Sequence, residues 1–206
     1  MLAMAATVLA SCTSPMASPP PSPLPSPSPH TAATATVLQA SDVSSQLGPC
    51  AGSGPISTYL AVISSSNPPL GQRLTQQWAA LKHAGATDAA ISLFAADPSA
   101  CSAELAAASN IKSAASLVVA FGDEGQADRA WQAGILGFTP PVPGELPPGV
   151  ARGVSTGLGS SSWTYALAPV QLACWRKSVF VAVVVFTNLD AASFKAGAAA
   201  VNARLN

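Results

Sequence analysis

Charged residues are scarce in this sequence. They make up 9% of its 206 residues, against roughly 25% in an average soluble domain. The 9 basic and 9 acidic residues cancel, so the chain has no net charge to attract nucleic acid or an anionic membrane surface. We therefore expect no nucleic-acid partner.

Histidine is scarcer still, since the chain contains only His30 and His83. A single histidine in the folded region and scattered cysteines do not give the ligand spacing of a zinc site. No carboxylate pattern typical of a calcium loop is present in the sequence, and no glycine-rich phosphate loop follows a predicted strand. The sequence thus predicts neither a metal site nor a cofactor.

A membrane-spanning hydrophobic run is also missing from the sequence. The longest apolar run is VFVAVVVF at 179–186, whereas a transmembrane helix needs about 20 residues. A short apolar stretch, LAMAATVLA, lies at 2–10 and is followed by a small residue. This arrangement is typical of a secretion signal, so residues 1–11 are predicted to be a signal peptide.

The end of that signal carries a more specific pattern. Leu9-Ala10-Ser11-Cys12 resembles the lipobox of bacterial lipoproteins, in which an aliphatic residue and two small residues precede a cysteine. The resemblance implies a thioether-linked lipid on Cys12, cleavage before it and acylation of the new amino terminus. The protein is then expected on the extracytoplasmic face of the cell membrane. No lysine or arginine precedes the apolar stretch. Either the basic region of the signal is minimal or the true start codon lies farther upstream, and we favour the second interpretation.

Residues 12–36 are predicted to form a disordered tether that begins at the lipidated cysteine. Proline and serine dominate this stretch, and no charged residue occurs before Asp42. Such a composition cannot bury enough apolar surface to offset the entropy of ordering the chain. Proline favours extended polyproline II, at about 3.1 Å per residue, so residues 14–30 would hold the domain up to roughly 50 Å from the lipid surface.

Residues 37–206 are predicted to form one globular domain. In chain order, the predicted elements are a helix after Gly54-Pro55, a helix over 70–81, a strand over 90–95, a weak helix over 102–109, a strand over 116–121, a helix over 124–133, strands over 154–158, 163–167, 170–175 and 179–186, and a helix over 191–205. Asp123 is predicted to cap the helix over 124–133, with Gln126 in the reciprocal capping position. This order favours an α+β fold, with an antiparallel sheet and helices packed mainly on one face.

The domain is similar, in the order of its predicted elements, to uncharacterised lipoproteins of high-GC bacteria. Two stretches carry this similarity: SLVVAFGDEGQADRAWQAG and CWRKSVFVAVVVFTNLDAASFKAGAAAVNARL. The resemblance implies a strand followed by an alanine-rich helix, and a closing strand, basic turn, strand and helix. It brings no catalytic motif, so it bears on the fold rather than on the activity.

One motif raises the question of catalysis. Residues 153–157 (GVSTG) match the G-x-S-x-G nucleophile elbow, with Ser155 as the nucleophile. That chemistry needs a histidine base and an orienting acid, and the sequence after Ser155 holds Asp190 but no histidine. We therefore predict a non-catalytic binding or interaction domain. The alternatives are a serine hydrolase that uses Ser155 and a carrier of a small apolar ligand.

Aromatic residues gather in the second half of the chain, around a proline-rich loop at 138–150. They include Trp131, Phe138, Trp163 and Tyr165. Such residues most often pack in a core, but a groove beneath the loop would bind an apolar or glycan ligand. The candidate partners are therefore an envelope protein, a cell-wall glycan or a small apolar molecule.

The cysteine count limits the possible disulfides. Lipidation of Cys12 leaves Cys50, Cys101 and Cys174, so one internal pair is the most that can form. An exported domain meets an oxidising compartment, where disulfides persist. Cys174 lies in a predicted strand, where a buried free thiol packs as a small hydrophobe. We predict a Cys50–Cys101 disulfide, because both residues lie in loops beside prolines; no bridge, or a pair with Cys174, are the alternatives.

Overall fold

The computed structural model describes residues 31–98, 101, 111–144 and 146–205. The strands in these ranges are β1 (Gly48–Pro49), β2 (Gly54–Pro55), β3 (Ala86–Ala95), β4 (Ser113–Phe121), β5 (Val150–Arg152), β6 (Ser162–Leu167), β7 (Val170–Lys177) and β8 (Phe180–Thr187). The helices are α1 (Ala33–Thr36), α2 (Ile56–Ser66), α3 (Pro68–His83), α4 (Glu124–Ala133) and α5 (Ala191–Arg204), with 3₁₀ turns at Ala40–Asp42 and Gly153–Thr156. The strands form one antiparallel sheet in the order β1-β3-β4-β8-β7-β6-β5, and β2 also pairs with β3. The predicted α+β class is confirmed.

Both faces of the sheet are covered. On face A, residues such as Leu117 and Val183 pack under α2, α3 and α4. On face B, residues such as Val118 and Phe186 pack under α1 and α5. Most of the helical residues thus lie on face A, in line with the prediction. Face B is covered by α1 and α5, which lie near the two ends of the domain. Burial on two sides explains why the central strand β8 is apolar at nearly every position.

Hydrogen bonds from two nearby side chains determine where helix α4 begins. Asp123 caps it as predicted, since its carboxylate accepts a hydrogen bond from the Gln126 N–H at 2.7 Å. The predicted reciprocal contact is displaced by one residue, because the Gln126 side chain accepts from the N–H of Gly122 at 3.1 Å. The two contacts together fix the junction between β4 and α4.

The predicted strand over 154–158 is wrong. The strand that pairs with β6 is β5, which ends at Arg152, and residues 153–156 form a 3₁₀ turn instead. Gly153 and Gly157 both have positive φ, at 72° and 79°, a backbone conformation that breaks a strand and favours glycine. The Thr156 hydroxyl then holds the turn closed by donating to the Gly153 carbonyl at 2.9 Å.

The folded domain begins earlier than the predicted boundary at residue 37. Within α1, Ala33 and Thr36 are fully buried, and the Ala33 N–H donates to Asp88 at 2.9 Å. The Leu38 N–H donates to the buried Ser116 hydroxyl at 2.8 Å. Helix α1 therefore belongs to the folded domain, and its buried residues Ala33 and Thr36 pack on face B. The predicted signal peptide, Cys12, the tether up to residue 30 and the whole of the weak helix over 102–109 lie outside the described residues.

The C-terminal helix fastens this N-terminal segment. The Arg204 guanidinium donates to both carboxylate oxygens of Asp42, at 2.7 and 2.6 Å, and to the Val37 carbonyl at 3.2 Å. A two-point contact between a guanidinium and a carboxylate is among the strongest side-chain pairs. We call this arrangement of Arg204, Asp42 and Val37 the terminal clamp, because it joins the two ends of the domain.

Candidate functional site

The four aromatic residues of the predicted ligand groove all pack on face A. Trp131 of α4 is buried at 5% exposure, while Phe138 and the β6 residues Trp163 and Tyr165 are partly buried against the same core cluster. The structure therefore brings them into one region, as core packing. Their side chains contribute to closing face A at its β6 end.

Arg152 links the proline-rich loop to the aromatic residues on face A. The Arg152 guanidinium lies over the Trp131 ring, 5.7 Å from its centroid, and also donates to the Pro141 carbonyl. Arg152 thus ties the loop to α4 through a cation–π contact and a hydrogen bond. The Trp131 indole N–H is buried and has no hydrogen-bond partner among the described residues.

An apolar cavity lies on the same face, between α2, α3 and the sheet. It has a volume of about 10 Å³ and is lined by residues that include Ile56, Tyr59, Leu74, Trp78, Leu117 and Leu136. A single water molecule needs about 10–15 Å³. The cavity is therefore too small for even a short acyl chain.

The cysteines fall as the sequence predicted. Cys50 and Cys101 form a disulfide, with their Cα atoms 5.9 Å apart, and Cys174 is a buried free thiol. Burial raises the pKa of the Cys174 thiol to about 12, although the Trp163 indole N–H that faces the sulfur acts in the opposite direction. Because the thiolate is the reactive form, Cys174 is chemically inert at neutral pH.

Ser155 and His83 lie in separate places. The Ser155 hydroxyl donates to the Arg152 carbonyl at 3.0 Å, within the 3₁₀ turn that borders α5 on face B. His83 ends α3 and lines a shallow depression with Gln126 and Arg129 on the α4 side. Within the described ranges, no hydrogen bond joins the two side chains. Among the residues that the structure describes, Ser155 therefore has no histidine base bonded to its hydroxyl.

A groove that sequence reasoning missed runs along α5 on face B, opposite the 3₁₀ turn and β6. Its volume is about 320 Å³, and its lining includes Leu158, Thr164, Phe194, Lys195, Ala198 and Asn202. We call it the α5 groove. A signal was present in the sequence, because Lys195 and Asn202 are seven residues apart and so share one face of a helix. The opposite wall comes from residues 30 or more positions earlier, which helix periodicity cannot reveal.

Hydrogen bonds fix the orientation of Asn202 at one end of the α5 groove. The Trp175 indole N–H donates to Asn202 Oδ1 at 3.0 Å. An indole nitrogen only donates, so the oxygen of the amide must face Trp175 and its NH₂ group is left as a donor. Lys177 Nζ also donates to the Asn202 carbonyl at 2.8 Å, which neutralises a carbonyl in the last turn of α5.

Comparison with protein-family models, with curated proteins and with solved structures found no match to this chain. In the part of the chain that the structure describes, no helix is long and apolar enough to cross a membrane. The same residues hold no group of three or more His, Cys, Asp or Glu side chains placed to bind a metal ion.

Proposed function

We propose that the protein is a lipid-anchored lipoprotein of the extracytoplasmic membrane face, and that its domain binds a partner without catalysing a reaction. The observation that carries the proposal is Leu9-Ala10-Ser11-Cys12, which is followed at once by a proline- and serine-rich stretch. A lipidated cysteine needs such an extended segment behind it to keep the folded domain clear of the lipid head groups.

The disulfide supports the proposed location. Cys50 and Cys101 are bonded although 51 residues separate them in the chain, and disulfides of this kind persist in oxidising compartments outside the cytosol. The remaining cysteine of the domain, Cys174, is fully buried, where it is protected from oxidation and exchange. The cysteine usage thus agrees with an exported domain.

A non-catalytic role is supported by what surrounds the two candidate chemical groups. The Ser155 hydroxyl is committed to a backbone carbonyl of its own turn, and a serine nucleophile needs a base within hydrogen-bond reach. The Cys174 thiol stays protonated because burial raises its pKa to about 12. The apolar-carrier alternative finds no support in the cavity of about 10 Å³ on face A.

An exposed apolar surface supports a binding role. Among the described residues, the large apolar side chains that remain exposed all belong to the stretch from 142 to 167, at the β5–β6 end of the sheet: Val142, Leu146, Val154 and Leu167. This stretch carries only two charged residues, Glu145 and Arg152. A contiguous apolar patch on a protein surface is typical of interaction sites, and a patch formed by these residues would fit a protein partner in the cell envelope.

The anchor is tested by cell fractionation of a Cys12→Ser variant. Lipid chains hold a protein at the bilayer in proportion to their buried methylene groups, so the variant should leave the membrane fraction. The wild type and a Ser14→Ala control should remain there after a carbonate wash. A Cys12→Ser protein that withstands the same wash would contradict the proposal.

A further inference from the structure

The α5 groove has the size and the lining of a small-ligand site. Its volume of about 320 Å³ falls at the lower end of the range for such sites, roughly 300–1,000 Å³. Its floor is apolar, formed in part by Leu158, Phe194 and Ala198. A ligand that fills it must therefore present a short apolar body to these side chains.

The polar groups around the groove are mainly donors. Lys195 is its only charged lining residue and forms no ion pair among the described residues. The Asn202 NH₂ group is left free because Trp175 holds the amide oxygen. Among the described residues, no carboxylate lines the groove, so a ligand group that accepts hydrogen bonds and carries negative charge meets no repulsion from them.

The negative end of α5 is also neutralised near this site. Carbonyl groups in the last turn of a helix carry partial negative charge, which repels anions. Lys177 Nζ bonds the Asn202 carbonyl at 2.8 Å, and this contact offsets part of that negative charge. An anion beside Asn202 is therefore repelled less than it would be by a helix end whose carbonyl groups had no cation bonded to them.

We propose that the α5 groove binds a monocarboxylate attached to a small apolar group, such as the C-terminal residue of a peptide that ends in alanine. Lys195 and the Asn202 NH₂ group bind the carboxylate, and Phe194 and Ala198 contact the methyl group. One positive side chain matches one negative charge, and the apolar floor excludes a bare inorganic anion as the preferred ligand. This inference deepens the proposed binding function and rests on it.

The test is a titration of the full-length Cys12→Ser chain, followed by ¹⁵N–¹H NMR. The probe is N-acetylalanine, with its neutral amide and inorganic phosphate as comparison ligands. We expect saturable shifts of the Asn202 side-chain amide and of Thr164 with N-acetylalanine, and at least about five-fold weaker binding of both comparison ligands, as for loss of one partly exposed charge contact. Absence of saturable shifts, or equal binding of the amide or of phosphate, would overturn the proposal.

A pair of lysine variants locates the site. Lys195→Gln should weaken N-acetylalanine binding about five-fold, whereas Lys82→Gln, which removes an exposed lysine of α3, should leave it within about two-fold. Equal losses in the two variants would show attraction to overall charge and contradict the assignment. Because these measurements omit the lipid, their failure leaves the anchoring result untouched, and failure of the anchor leaves the groove result untouched.

Discussion

Face A and face B of the sheet are closed by different parts of the chain. Face A is covered by α2, α3 and α4, which lie between residues 56 and 133, and the Cys50–Cys101 disulfide lies on this side. Face B is covered by α1 and α5, which lie at the two ends of the domain. One face is therefore closed locally and held by a covalent bond, while the other is closed by distant segments.

The polar contacts follow the same division. On face B, the Ser92 and Ser116 hydroxyls form a buried hydrogen bond at 2.9 Å, Ser116 accepts from the Leu38 N–H, and Arg204 pairs with Asp42. Fixing the two distant ends of the domain against the sheet costs more conformational entropy than fixing helices that short loops connect to it. The segment that follows the proposed tether is thus held by specific polar contacts on face B, and a pull on that tether would act there first.

The largest expected effect comes from breaking the covalent closure of face A. A Cys50→Ala/Cys101→Ala variant should lose about 4 kcal/mol of unfolding free energy, the chain-entropy value for a loop of this length. Urea unfolding of the wild type and of the variant measures the difference. Dithiothreitol should destabilise the wild type and leave the variant unchanged, and a reductant effect of equal size in both proteins would contradict the assigned bridge.

Breaking the terminal clamp on face B should have the next largest effect. Asp42→Asn should cost about 2 kcal/mol, because it removes a charge-assisted pair whose carboxylate side chain is only 7% exposed. The matched control is Asp128→Asn, which removes a pair to Arg176 whose carboxylate is 38% exposed and should cost less than about 1 kcal/mol. Equal losses in urea unfolding would show that burial does not distinguish the two pairs.

The terminal clamp also predicts a pH dependence. Burial acts to raise the pKa of the Asp42 carboxyl, but hydrogen bonds from Arg204 and from the Gln39 N–H outweigh it and hold the pKa below its usual value. A carboxyl with a lowered folded-state pKa stabilises the fold above its unfolded-state pKa of about 4, and this contribution is lost as pH falls through the folded value. Between pH 5 and pH 2, the unfolding free energy should therefore fall more steeply in the wild type than in Asp42→Asn.

The smallest expected effect on stability comes from removing the N-terminal cap of a single helix, α4. Asp123→Ala removes the cap of α4 on face A and should cost about 1 kcal/mol, whereas Asp123→Asn keeps a capping oxygen and should cost less. Hydrogen exchange should show faster exchange in α4 and unchanged protection in α5. Loss of protection in both helices would indicate that the two faces do not respond independently.

The elements that sequence alone revealed are those with local causes. The Asp123 cap identified α4, and the unbroken apolar run over 179–186 identified the buried strand β8. The disulfide was predictable because Cys50 and Cys101 both lie in loops beside prolines, while Cys174 lies in a strand. In each case, the residues that determine the structure are also the residues that carry the signal.

The features that sequence reasoning missed have distant causes. Helix α1 is short and has no apolar period, and its burial depends on Asp88 and Ser116, which bond the segment from 55 and 78 residues away. The α5 groove likewise needs a wall from the turn around Leu158, and no local pattern places that turn against α5. The false strand over 154–158 is different, because its cause is local: Gly153 and Gly157 adopt positive φ, which breaks a strand.

The most direct test of the central claim is the mass of the N-terminal peptide of the protein purified from membranes. If the protein is the proposed lipoprotein, this peptide begins at Cys12 and carries a thioether-linked diacylglycerol, with an acyl group on its new amino terminus. The mass should then exceed that of the unmodified peptide by the mass of these lipids. A peptide that continues through Ser11 into an unmodified Cys12 would contradict the lipoprotein assignment.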